Sequence, residues 1–384
     1  MIRLELYKIY MQKVIYIAFA VFAALYISQF YNELQPAHEI EGVRAAYKEY
    51  GGALTEEKLA WAEETEAAFQ KQYQDSVESG VALDPILRYQ SQVANDILSA
   101  SSYRAMLAKQ RQEREAWLSL PKAQGGPTEA QRREAIAVLK VAEAIGAPDY
   151  VMDQHAWLRT LQFMNEIGYF FVVALAIIGL AGSFSREYAN GMDQLLLSSR
   201  HGRSKAVVAK LAAAAIYCAS LVALFSAIVF LLHGYYYSFA GWDRPLVNLF
   251  RLYSSTGFGG QIWQFYLLQQ ICAIGGCVAL GWLTVLFSSW TRNMVLPAML
   301  GGLAFILPVI IIFMNLPTEG VFRTVLHVLR YMEYIQAEYI DSVSYYPIFG
   351  QLLLYRNGVW INLFVSLAVT VGLLYATIRR RQVK

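Results

Sequence analysis

A chain of 384 residues that is 57% hydrophobic and 16% charged, with a mean hydropathy of +0.34, differs from soluble domains, which run near a quarter charged. Six gaps between successive charged residues each enclose at least 19 residues without Asp, Glu, Lys or Arg, and a helix needs roughly 20 apolar residues to cross the bilayer core. A cytosolic enzyme is excluded, and the expectation is an all-α integral membrane protein with six transmembrane helices, its net charge of +3 averaged over two compartments.

Residues 1–13 mix apolar residues with Arg3, Glu5, Lys8 and Lys13. They read either as a short helix in the membrane interface or as the solvated start of the first span. The gap between Lys13 and Glu33 is long for a signal-peptide core, and 26–31 carries no small-residue cleavage pattern. It is therefore read as an uncleaved first span, closing a first unit at residue 33.

Residues 34–158 form a large helical insert. Leu54-Thr55-Glu56-Glu57 opens a run rich in Ala, Glu, Lys and Gln. Asp84-Pro85 is an N-cap followed by Pro at the first helical position, the favoured order, and helical composition continues to Leu118. Thr128 and Gln131 fit a capping box, and Gly146 suits the end of that helix. A last helix is expected from Pro148 straight into the second span. Trp61, Phe69, Tyr73, Tyr89, Tyr103 and Trp117 are the anchors of the bundle. Aliphatic residues are few, so it needs further support from a partner or the membrane surface.

The remaining unit, 159–384, holds spans two to six. Glu166 is the one carboxylate near a span interior. It is a candidate intramembrane polar site, or equally a residue still wetted at the interface. Gly179 and Gly182 in span two, Gly275, Gly276 and Gly281 in span four, and Gly301 in span five stand where helices approach closely. They are packing residues first and a candidate translocation seam second. Pro297 and Pro308 are candidates to kink span five. The aromatic segments 235–242 and 331–346 suit a membrane–water belt.

Orientation follows from the cations. With the N-terminus inside, the cytoplasmic pieces 1–13, 186–210, Arg292 and 379–384 hold 13 Lys/Arg against three acids, whereas 39–153 holds 13 against 19. This is the positive-inside pattern: both termini are cytoplasmic, the insert lies outside, and the chain sits in the plasma membrane.

Several chemistries find no support. There is no Gly-rich phosphate loop followed by Lys, no His pair at metal-ligand spacing, and no Cys in the insert. No catalytic, cofactor or metal-binding residue is assigned, and no basic arrangement points to nucleic acid.

The stretch between spans two and three is the most informative. Asn190-Gly191 breaks the helix leaving span two; Met192, Leu195 and Leu196 then recur at helical spacing. The order Glu187, Gly191, Leu196-Leu197-Ser198, Gly202-Arg203 and Lys210, with the basic elbow around Arg3, Glu5 and Lys8, resembles the ABC-2 type permeases of ATP-binding cassette transporters. The motif covers about 25 residues; the topology covers the chain. The resemblance implies a permease without a nucleotide site, ATP and Mg residing on a separate cytoplasmic ATPase, and a second permease subunit completing a homo- or heterodimer. It implies a coupling helix over 191–199, with Arg186, Glu187, Gly191, Leu195, Leu196, Arg200 and Arg203 as the ATPase-coupling residues. It further implies export, and the uncharged spans favour a hydrophobic or amphipathic cargo such as a peptide antibiotic, drug or lipid. The alternative is a membrane receptor or immunity component whose acidic insert binds an extracellular peptide.

Overall fold

The computed structural model describes residues 1–80, 82–122, 125–192, 202–254, 256–314, 331, 345–348 and 351–380. It is a helical membrane protein. Helix α1 (Ile2–Tyr10) turns at Met11 into α2 (Lys13–Glu33). The insert contributes α3 (Ala37–Tyr50), α4 (Glu56–Ser79), α5 (Pro85–Ser119) and α6 (Glu129–Ile145). Then follow α7 (His155–Phe163), a π turn (Met164–Gly168), α8 (Tyr169–Leu180) and the short α9 (Ser185–Ala189). The rest of the bundle is α10 (Gly202–Tyr236), the short α11 (Phe250–Tyr253), α12 (Ile262–Ser288), α13 (Val295–Phe313) and α14 (Tyr355–Arg380).

Five helical stretches are long and apolar enough to cross a membrane: Lys13–Glu33, His155–Ala189, Ser204–Tyr236, Ile262–Ser288 and Arg356–Arg380. Val295–Ile311 is a shorter apolar helix, so among the described residues the expected fifth span stays below that length. α12 is the centre of the bundle, packing on α8, α10, α13 and α14. α2 is mostly exposed, as befits a helix that meets lipid on most of its surface.

Cap chemistry sets the insert's helices. Thr55 caps α4 by accepting the Lys58 amide; Asp84 accepts the Ile86 amide ahead of Pro85; and Thr128 and Gln131 close a reciprocal capping box. Gly80 follows α4 in the left-handed conformation, φ 71°, where a Cβ would be strained. One expectation fails at the exit. Pro148 does not open a helix, because Tyr150–Val151 instead pairs antiparallel with Gly52–Ala53, and helix resumes only at His155. That ladder ties the two ends of the insert's helical hairpins together. A second antiparallel ladder, Tyr345–Ile348 with Gln351–Leu354, precedes α14.

The insert's core is Val43, Ala46, Tyr47, Ala62, Val93, Ala94, Ile97 and Ala100, completed by Phe250 from the segment between α10 and α12. Of the expected anchors, Trp61 stacks on Tyr50 with centroids 4.1 Å apart, and Tyr103 meets Phe250. Phe69 pairs with Tyr73, which is about half exposed. The support missing from the insert's own sequence thus comes from the same chain. Polar contacts fix the junction: Asp96 Oδ2 accepts from the Tyr47 hydroxyl at 2.6 Å, Asp96 Oδ1 accepts from Arg251, and Asn248 Oδ1 accepts from the amides of Asp149 and Tyr150.

The expected packing glycines sit at helix contacts. A Cβ on Gly179 would lie 2.6 Å from the Tyr217 ring, one on Gly301 2.8 Å from Thr284 Oγ1, and one on Gly275 3.2 Å from Leu363. Gly276 is buried within the bundle's central helix, and a Cβ on Gly182 would meet the Arg186 side chain at 2.7 Å. Small residues here let backbones approach.

Candidate functional site

The site forms where α1 folds back against the ends of α8, α9 and α10. The helix of span two does not run through to Ala189 unbroken. It turns over residues 181–184, freeing amides that an α-helix would pair internally. Ser288, the last residue of α12, meets them: its Oγ accepts from the Phe184 and Ser185 amides at 3.0 and 3.1 Å and donates to the Ala181 carbonyl at 2.7 Å. Ser288 is fully buried. One hydroxyl from the central helix therefore holds the bend that aims α9.

α9 ends in a Schellman motif. Gly191 stands at φ 69°, the Gly191 amide approaches the Tyr188 carbonyl, and the Met192 amide donates to the Glu187 carbonyl at 3.0 Å. Orphan carbonyls at the helix end are met this way when the residue past the cap tolerates the left-handed region. The Asn190-Gly191 break read from the sequence is this motif.

Four charges from three elements close the site. Lys210 on α10 donates to Glu187 Oε1 at 2.8 Å, to Glu5 Oε2 at 2.8 Å and to the Ser183 carbonyl at 2.7 Å. An ammonium has three hydrogens to give, and all three are placed. Its nitrogen also lies 4.9 Å from the centre of the Phe184 ring. Lys8 donates to Glu187 Oε1 at 2.7 Å and to Glu5 Oε1 at 2.8 Å. Two acids and two bases compensate one another, which is what permits Lys210, 3% exposed, and Glu187, 5% exposed, to be buried.

Outside the spans, this network sets protonation. Burial pushes the Glu5 carboxyl up, but the charge of Lys210 and the hydrogen bonds from Lys210 and Lys8 outweigh it and hold it below 4.5. Burial pushes Lys8 down, and its bonds to Glu187 and Glu5 more than reverse that, leaving it above 10.5.

The remaining expected residues separate. Arg186 is exposed and donates to Gln12 Oε1 at 2.8 Å and to Met294 Sδ, joining the α1–α2 turn to the residue just ahead of α13. Glu187 is turned inward, under Lys8 and Lys210. Arg203 lies on the first turn of α10. Leu195, Leu196 and Arg200, with most of the expected coupling helix, lie outside the described residues. Glu166 is exposed on the π turn and forms no ion pair among the described residues. A π turn displaces one helical hydrogen bond, and buried Gln269 of α12 reaches in, donating to the Leu161 carbonyl at 2.9 Å and to Asn165 Oδ1 at 3.0 Å. Sequence reading singled out neither Gln269 nor Ser288, since one polar residue in an apolar helix gives no partner away. Among the described residues no cluster of three or more His, Cys, Asp or Glu is placed to hold a metal.

Comparison with known families settles the class of the protein. The model of the ABC-2 family transporter proteins matches residues 1–377. This chain belongs to that family. It is a multi-pass plasma-membrane protein and the membrane-spanning component of an ATP-binding cassette transporter, working with a cytoplasmic ATPase within the lipid bilayer. The match includes the helical insert as well as the spans. No curated protein matches the chain.

Proposed function

We propose that this permease carries a hydrophobic or amphipathic cargo outward, driven by ATP hydrolysis on a separate subunit, as one half of a dimer of permease chains. The reading places both termini and 186–210 on the cytoplasmic side, α13 as the fifth of six spans despite its shorter length, and the insert outside, in accord with the distribution of Lys and Arg. ATP and Mg belong to the partner, and this chain carries no nucleotide site of its own.

The observation that carries the mechanism is the Glu5–Lys8–Glu187–Lys210 network. It locks α1, α9 and α10 into one body at the two ends of the 191–201 connection. A push delivered by the ATPase to the segment containing Leu195 and Leu196 is transmitted through α9 to α8, through Lys210 to α10, and through Ser288 to α12. Glu187 acts inside this body, while Arg200 and Arg203 are the cations offered to the ATPase or to lipid phosphates. Gly179 and Gly301 let α8 slide closely on α10, α12 and α13 as the body tilts.

The test is copurification of the cognate ATPase with the Leu195→Glu, Leu196→Glu double variant. Loss of the ATPase with an intact permease is expected; a retained complex with full ATP-driven transport would overturn the coupling assignment.

A further inference from the structure

Beside the network, between α1, the end of α8 and α9, lies a pocket of about 260 Å³. At about 30 Å³ per water molecule this is roughly nine waters' worth of space, room for a small polar group. Its walls carry both signs of charge. Glu187 Oε1 receives both lysines, whereas Oε2 is buried and has no hydrogen-bond partner among the described residues. A buried carboxylate oxygen without a donor is costly, so this wall calls for an N–H or O–H, best of all an ammonium.

The rim has the opposite need. Among the described residues Arg186 donates to neutral atoms, Gln12 Oε1 and Met294 Sδ, and the Lys8 side chain is 46% exposed. Lys8, Arg186 and Lys210 stand against Glu5 and Glu187, leaving one cation in excess among the charges lining the pocket. Ile9, Met192 and Ala213 supply apolar lining. Leu4 and Tyr7 on α1 and Val208 on α10 are exposed nearby along the chain, a surface suited to acyl chains at a span's end.

We propose that this pocket binds the headgroup of an aminophospholipid, its phosphate on Arg186 and Lys8 and its ammonium on Glu187 Oε2. The phosphate meets the excess cation through charge-assisted hydrogen bonds, and the ammonium supplies the missing donor. A lipid so held stitches α1 to α9, and it reports the local bilayer composition to the body that moves. The proposal does not depend on the partner ATPase or on the direction of transport.

The test uses the full chain in nanodiscs of phosphatidylcholine doped with phosphatidylethanolamine or phosphatidylglycerol, with retained lipid counted by native mass spectrometry. One phosphatidylethanolamine per chain should be retained, about tenfold over phosphatidylglycerol, a preference of roughly 1.4 kcal/mol. Arg186→Gln should lower retention about tenfold. Glu187→Gln should remove the preference for the amine; because it also disturbs the network, Asn190→Trp, which fills the pocket from an exposed position, serves as the second variant and should abolish retention. Equal retention of both doped lipids, or undiminished retention in Arg186→Gln and Asn190→Trp, would overturn the proposal. Binding of one soluble phosphoethanolamine per chain by protein that retains no phosphatidylethanolamine would assign the site to a free solute and overturn the lipid.

Discussion

Two charged clasps attach peripheral elements to the spans, and they are built on different principles. At the α1 end, two acids and two bases neutralise one another, and Lys210 is satisfied by three acceptors. At the insert end, one buried acid, Asp96, serves a phenol and a guanidinium, with Tyr47 buried and the Arg251 side chain 48% exposed. The first clasp fixes three helices, α1, α9 and α10, to one another. The second fixes the insert to the α10–α12 connection, with Phe250 seated in the insert's own core. A closed set of charges allows a charged joint to be buried between helices, whereas a wetted pair next to an apolar plug suffices at the edge of the insert.

The most severe way to break this contrast is Lys210→Met. It leaves Lys8 alone between Glu5 and Glu187, and removing one member of a buried pair costs about 3–5 kcal/mol. A large fall in the thermal midpoint of detergent-purified protein is expected; an unchanged midpoint would mean the two acids are not held together. Asp96→Ala at the other clasp should cost about 1.5–3 kcal/mol, the worth of hydrogen bonds to a charged group. Its effect should be confined to faster hydrogen exchange in α3 and α5, with the spans unmoved. Ser288→Ala leaves two buried amides unmet, about 1–3 kcal/mol, and should speed exchange at Phe184 and Ser185 specifically. Gly191→Ala forces a side chain into the left-handed region at about 1–2 kcal/mol, and is best read as weakened ATPase association without loss of folded protein.

The smallest effect is on pH. Glu5 is depressed below 4.5, so its contribution is whole above that value and is lost as pH falls through its folded pKa. Lys8 is raised above 10.5, so its contribution is whole below that value and fades as pH rises past its folded pKa. The α1 clasp should therefore hold from about pH 5 to pH 10. Cross-linking of α1 to α9 across that range should be flat, and a step near neutrality would refute the assignment.

Much of the fold was legible because its signals are local. Uncharged runs mark spans, and Thr55, Asp84 and Thr128 mark helix starts through hydrogen bonds made within three residues. Gly191 was legible for the same reason. What escaped is nonlocal. Lys8, Glu187 and Lys210 are each visible as charges, but their meeting requires α1 to fold back across a separation of 179 positions between Lys8 and Glu187. Ser288 and Gln269 look like incidental polar residues until the bend and the π turn that need them are known. The Phe250 plug hides in a connection whose composition says only that it is aromatic and polar.

The π turn at Met164–Gly168 carries a consequence for lineage. One surplus residue in a helix rotates everything before it by roughly 100° relative to everything after. Deleting a single residue there would restore a plain helix and swing His155–Phe163 away from its present azimuth, taking the Trp157 indole off the Ala240 carbonyl it now reaches at 3.0 Å. The insert and the lower bundle are thus phased by one amino acid. Relatives that lack that residue would be expected to present the insert from a different side of the same scaffold.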